Sequence, residues 1–361
     1  MSRKSEIRAR AAKLRAQFEA AGAEVVETPI LLPAEVLLDL YGEDIRARAY
    51  VTSDALRGEQ MLRPDFTVPV VQKHMTDGAE PARYTYAGEV FRRQEDDEAR
   101  ANEYVQVGFE VFDRENPAAA DAEVFAVIQN ALGDMELRAA TGDIGILAAA
   151  VRGLDTTERR KAALMRHIWR PSRFRALLDR YSGRSKAPPT RQALLDNPEP
   201  LVHGFPDIGM RTQREVAERI EALREDAEAT PISARQVELI DTLLNVRETL
   251  PFALEQIRDL AVDMPAITEA VFRLQERIGA LADRGVDVDN LSFEASFGRT
   301  SMEYYDGFVF GFSVPGRPDL PSVATGGRYD ALTRVLGQGC EIPAVGGVIR
   351  PGLLVELGAQ L

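Results

Sequence analysis

The sequence of 361 residues holds one cysteine, Cys340, three histidines (His74, His167 and His203) and one tryptophan, Trp169. A single thiol excludes an internal disulfide and fits a reducing compartment. With so few thiols and imidazoles a zinc cluster is not expected, and no metal is assigned. No run approaches the ~18 to 20 apolar residues that a membrane-spanning helix needs. The opening M-S-R-K-S-E-I-R-A-R has basic residues but no apolar run behind them, unlike a secretory signal. A cytoplasmic protein without a membrane partner is expected. Excess positive charge is missing as well: 44 basic against 57 acidic residues leave −13 at pH 7. A large nucleic-acid footprint needs a basic surface to neutralise phosphates, so the overall field opposes one.

Present instead are 45% hydrophobic and 28% charged residues, the balance of a soluble globular protein. The length predicts two domains, or one carrying a large insertion. The most ordered pattern runs from Ala82 to Phe112, where two β-rich runs, Tyr84–Gln94 and Tyr104–Phe112, flank a polar loop. In the second run Val105, Val107, Phe109 and Val111 share one face and suit a core. Tyr104, Gln106, Gly108, Glu110 and Phe112 share the other. That face reads either as a solvated surface or as the floor of a polar pocket, with Gly108 leaving room for a ligand.

Ahead of this hairpin, Ser5–Ala21 has helical spacing of Ile7, Ala11, Leu14 and Phe18. Glu24–Ile30 reads as a strand that Pro29 confines to an edge or interface. Leu31–Tyr41 reads as a helix, Gln60–Arg63 as a strand, Leu62–Thr67 (L-R-P-D-F-T) as a connection and Val68–Met75 as a helix. After the hairpin, Asn116–Met135 is predicted helical and Glu136–Ile146 a strand. From 155 to 286 the pattern turns almost wholly helical, with Ser233–Thr249 as one helix and Ser182–Thr190 as a Pro-containing linker. Trp169 reads as core there. Strand character returns at Leu291–Phe297 and Glu303–Val314. In the last of these Phe308, Phe310 and Phe312 share a face, and Gly307 and Gly311 open the other. Thr325–Leu332 reads as a turn entering a helix. The expectation is an α+β fold: a core of 1–154 and 287–361 with a mainly antiparallel sheet, interrupted by a helical insertion at 155–286.

Three polar or glycine-opened segments, Leu62–Thr67, Gln106–Glu110 and Tyr304–Asp330, meet at one pocket if the sheet is antiparallel. Asp65 and Glu110 are anions suited to an ammonium or imidazole group, and Gln106 offers a donor and an acceptor. Asp65 equally suits a helix cap, and Tyr329 equally suits core.

These segments resemble the catalytic core of class II aminoacyl-tRNA synthetases, the histidyl type in particular. V-E-T-P-I around Pro29 is similar to the dimer-interface motif 1. Y-A-G-E-V-F-R-R with R-A-N-E-Y-V-Q-V-G-F-E-V-F is similar to motif 2, and E-Y-Y-D-G-F-V-F and T-G-G-R-Y-D resemble the two histidine-specific segments. The resemblance implies a histidine pocket of Asp65, Thr67, Gln106, Glu110, Tyr305 and Tyr329, and phosphate contacts from Arg92 and Arg100. Asp65 stands where that family has Glu.

Several departures oppose amino-acid activation. Thr300 stands where the histidyl enzymes have an activating arginine, and Arg299, one residue off, would point to the opposite face of a strand. Gln94 replaces the motif 2 glutamate. G-G-V-I-R-P-G-L-L lacks the Glu-Arg pair of motif 3: Arg350 is out of register, and Pro351 is expected to disturb any helix. No anticodon-binding domain is expected to follow. This combination resembles the regulatory subunits of ATP phosphoribosyltransferase. The resemblance implies a non-catalytic chain without a cofactor of its own. It would pair as a homodimer within a hetero-octamer, activate a short catalytic chain and confer histidine feedback, without tRNA. Two alternatives stay open from the residues alone: an active histidyl-type ligase, and a stand-alone histidine sensor that binds an unrelated protein.

Overall fold

A computed structural model describes residues 3–41, 45–93, 100–198, 211–299 and 304–358. Its strands, in chain order, are β1 (Glu24–Val25), β2 (Leu31–Pro33), β3 (Val51–Asp54), β4 (Gly58–Leu62), β5 (Ala82–Phe91) and β6 (Glu103–Phe112). They continue with β7 (Arg138–Asp143), β8 (Arg247–Thr249), β9 (Ser292–Glu294), β10 (Phe308–Ser313), β11 (Ala324–Arg328) and β12 (Ala344–Ile349). Among the described residues nine of these form one sheet in the order β1-β5-β6-β12-β11-β10-β7-β9-β8, and β2-β4-β3 form a small second sheet. Only β1 with β5 and β7 with β9 pair in parallel; the other neighbours are antiparallel. The fold is α+β with a mainly antiparallel sheet.

The β6 alternation has the consequence its sequence suggests. Val107, Phe109 and Val111 are fully buried, and Phe109 packs 5.5 Å from Phe18 of the helix Arg3–Ala20. Phe308, Phe310 and Phe312 on β10 gather around Phe125 of the helix Pro117–Leu132. Burial of each such ring contributes roughly 1.5–3 kcal/mol. That helix starts where Asn116 accepts a hydrogen bond from the Ala119 amide at 3.0 Å, with Pro117 in its first turn.

The opposite face of β6 is not solvated. The helix Thr67–Asp77 covers it, with His74 stacked 4.0 Å from Phe112 and its Nδ1 3.1 Å from the Tyr84 hydroxyl. Gln106 and Glu110 are therefore buried. Nor does Gly108 leave an open space. Register places Tyr86 opposite it, and a Cβ on Gly108 would lie 2.2 Å from the Tyr86 ring.

Several local expectations change. Of Glu24–Ile30 only Glu24–Val25 forms a strand, paired in parallel with β5. Leu31–Pro33 is a strand ahead of the helix Ala34–Tyr41, paired with β4. Ser233–Thr249 splits into a helix, Ala234–Leu244, and β8, which joins the main sheet through β9. The expected turn at Thr325 is the central strand β11. Pro351 opens the helix Pro351–Glu356 rather than disturbing it, since a first-turn proline loses no intrahelical hydrogen bond.

Among the described residues, 158–198 and 211–283 are helical apart from β8 and the connections between helices. The last of these helices, Thr268–Asp283, packs on Pro117–Leu132 through a buried ionic ladder. Arg277 Nε and Nη1 donate to Asp121 at 2.7 Å and to Asp143 at 2.8 Å. Asp121 also accepts from Arg328 Nη2 at 2.7 Å, and Arg328 Nη1 donates to Asp330 at 3.0 Å.

Candidate functional site

The glycine doublets of β11 and β12 build the floor of the site. Gly326 and Gly347 pair with each other, as do Gly327 and Gly346. Alternation sends the two pairs to opposite faces. On the apolar face Gly326 and Gly347 admit the Phe310 ring and Ile128. On the other face Gly346 sits opposite Glu110, and a Cβ there would fall 1.3 Å from Glu110 Oε2. The carboxylate lies across β12 because no side chain stands in its way. Next along the row, a Cβ on Gly327 would lie 2.8 Å from the Tyr305 ring.

Three hydroxyls converge on Glu110. Tyr86 donates to Oε1 and Tyr329 to Oε2, both at 2.7 Å, and Thr67 donates to Oε1 at 3.3 Å. The Tyr304 hydroxyl donates in turn to Thr67 Oγ1 at 3.4 Å. Burial raises the Glu110 carboxyl to about 7 despite these donors, and the charge of Asp65 adds to the rise. Burial, and then Glu110, push the Tyr86 and Tyr329 phenols well above their ordinary value. Gln106 lies on the same face of β6, fully buried, and neither of its amide atoms has a hydrogen-bond partner. An orphaned buried amide costs about 1–3 kcal/mol. A ligand offering both a donor and an acceptor would remove that penalty.

Asp65 has a double position. Its Oδ1 accepts from the Val68 amide at 3.5 Å, as a helix cap would. It also borders a cleft of about 930 Å³ shared with Tyr304, Arg92, Arg100 and Arg350. Arg92 Nε donates to the Pro64 carbonyl at 2.7 Å, and the Arg350 guanidinium donates to the Ser322 carbonyl. Arginines along one cleft of an acidic chain suit an anionic group.

Thr67, Glu110 and Tyr329 are thus joined by hydrogen bonds, with Tyr305 alongside and Gln106 on the same face. Asp65, Arg92 and Arg100 border the adjoining cleft. Tyr86 and Tyr304 belong to this constellation and were not among the sequence-derived candidates. The hairpin register held the signal for Tyr86, which faces Gly108 two residues from Glu110. Thr300 and Gln94 lie outside the described residues. Arg299 does not enter the site: its Nε donates to the Ile168 carbonyl at 2.8 Å, and its guanidinium lies 4.9 Å from the Phe174 ring. Burial lowers Arg299 to about 10.

Residues 2–204 and 211–351 match the family model described as histidyl-tRNA synthetase. A relative from Brucella anthropi, an ATP phosphoribosyltransferase regulatory subunit, is 31% identical over 92% of this chain and 93% of its own length. The chain belongs to the ATP phosphoribosyltransferase regulatory subunit family. A second such subunit, from Brucella ovis, is 30% identical over 92% of this chain and 93% of its own length. The structure is similar to one described as an ATP phosphoribosyltransferase regulatory subunit/histidyl-tRNA synthetase from Bacillus halodurans C. The TM-score is 0.69 at 22% identity, covering 98% of this chain and 79% of that one. A histidyl-tRNA synthetase from a Nostoc species gives 0.65 at 20% identity, covering 100% and 74%. At these identities the likeness speaks for the fold, a class II synthetase-like core, which this regulatory subunit family member shares.

Proposed function

We propose that this chain is the non-catalytic regulatory subunit of a cytoplasmic ATP phosphoribosyltransferase. It activates a short catalytic chain and makes the first step of histidine biosynthesis sensitive to histidine. Histidine binds among Asp65, Thr67, Gln106, Glu110, Tyr305 and Tyr329, and Arg92 and Arg100 are what remains of a phosphate site. Residues 155–286 are an insertion into a core of 1–154 and 287–361. The core pairs as a homodimer at the Pro29 edge within a hetero-octamer.

The observation that carries this reading is a polar pocket retained beside an arginine turned away from it. Glu110 and the unpartnered Gln106 keep the chemistry for an amino acid. Arg299 spends its guanidinium on the helical segment, where it stabilises no developing phosphoryl charge. Family membership supports the same conclusion over an active ligase. Feedback follows if histidine binds the less active state of the complex more tightly, since equal affinity shifts nothing.

In the intact complex, Glu110→Ala is expected to move histidine inhibition to roughly ten- to hundredfold higher concentration. Assembly and basal phosphoribosyl transfer should persist. An unmoved inhibition curve would place the sensing site elsewhere. Histidine-dependent pyrophosphate–ATP exchange above background would restore the ligase reading.

A further inference from the structure

Two described residues, Arg299 and Tyr305, are each hydrogen-bonded to one corner of the helical segment. The corner lies between the helices Glu158–Arg166 and Pro171–Tyr181. Arg299 Nε donates to the Ile168 carbonyl. Trp169 Nε1 donates to the Tyr305 carbonyl at 3.1 Å. The corner is itself fixed, because Ile168 and Phe174 are buried in the core. Next to Tyr305, Asp306 accepts from the Asp330 and Ala331 amides at 3.1 and 2.6 Å, which ties it to the backbone just after Tyr329.

We propose that Trp169 is a positioning residue for the histidine site: by holding the Tyr305 backbone it sets the ring over Gly327, and it carries site occupancy into the helical segment. This deepens the histidine reading above and depends on it. A ligand that moves the Tyr305 backbone by a fraction of an ångström stretches or releases the indole hydrogen bond, because Asp306 holds the next residue in place. An element outside a site responds to occupancy only through contacts that differ between the two states. The Trp169–Tyr305 contact is of that kind and gives the helical segment a functional part beyond packing.

Trp169 is the chain's sole tryptophan, so its emission reports on this corner alone. Calorimetry on the full chain first establishes histidine binding; no binding there removes the histidine reading and this proposal together. With binding established, histidine is expected to shift Trp169 emission saturably, with a midpoint matching the calorimetric one. Lysine should leave it unchanged. Trp169→Phe keeps an aromatic ring and deletes the donor, and is expected to weaken histidine binding about three- to tenfold. A merely structural tryptophan would lower the unfolding temperature and leave affinity alone. Static emission across histidine saturation overturns the proposal, as does wild-type affinity in folded Trp169→Phe. Should that variant not fold, the wild-type emission titration decides.

Discussion

Glu110 is a carboxyl group that the fold keeps near its titration point at neutral pH. Burial favours its neutral form, so its pKa rises from 4.5 to about 7, and Asp306, buried beside Asp330, rises from 3.8 to about 7. Shifts of this size correspond to roughly 3–4 kcal/mol each. Because both are raised, the stability they contribute is complete below the unfolded values and is lost as pH rises through about 7. The ligand-free chain is therefore expected to unfold at lower temperature at pH 8 than at pH 5.5. Histidine brings an ammonium group that favours ionised Glu110, so its binding should release a proton on the acid side of 7 and weaken as pH falls from 8 to 6. Calorimetry in buffers of different ionisation enthalpy measures that proton. Gln106 makes the opposite bargain to a core residue. Gln106→Leu should raise ligand-free stability by about 1–2 kcal/mol in denaturant titration while histidine affinity falls.

Beside the apolar core, buried charge ties single elements to one another. Arg277 brings the helix Thr268–Asp283 onto Asp121 and Asp143, each 5% exposed or less. Asp121 is shared with Arg328, which leads along β11 to Tyr329. Removing one member of such a set leaves the others buried and unpaired, which costs about 3–5 kcal/mol. Arg277→Met is expected to destabilise by that amount in chemical denaturation. The exposed pair Arg273–Glu269 on the same helix should contribute less than about 1 kcal/mol. The helical pattern of 155–286 covers this helix, but nothing in it marked Arg277 as buried. A charged residue among others on a helix reads as solvated until its neighbour is known.

At the scale of the molecule, the small sheet β2-β4-β3 and the chain around Pro29 leave Ile30 and Leu31 46% and Val51 40% exposed. Exposed apolar side chains on both edge strands of a small sheet suit contact with a second copy. Sedimentation is expected to give a dimer of this chain by itself, and Ile30→Glu to give the monomer. A wild-type monomer would discard the Pro29 interface. No helix among the described residues is long and apolar enough to cross a membrane.

Local pattern alone determined the β5–β6 hairpin, the apolar row of β6, the phenylalanine row of β10 and most helices, because alternation and 3.6-residue spacing are written along the chain. Segments far apart in sequence were assigned to one pocket through motif resemblance, and Thr67, Glu110 and Tyr329 do meet. Only the tertiary structure decided what fills the space beside each strand. Gly108 reads as an opening and is covered by Tyr86, whereas Gly346, which nothing in the sequence singled out, makes room for Glu110. Trp169 reads as core and reaches Tyr305. In each case the deciding neighbour lies on another strand or helix, and its identity depends on register across the sheet, which no single segment of sequence contains.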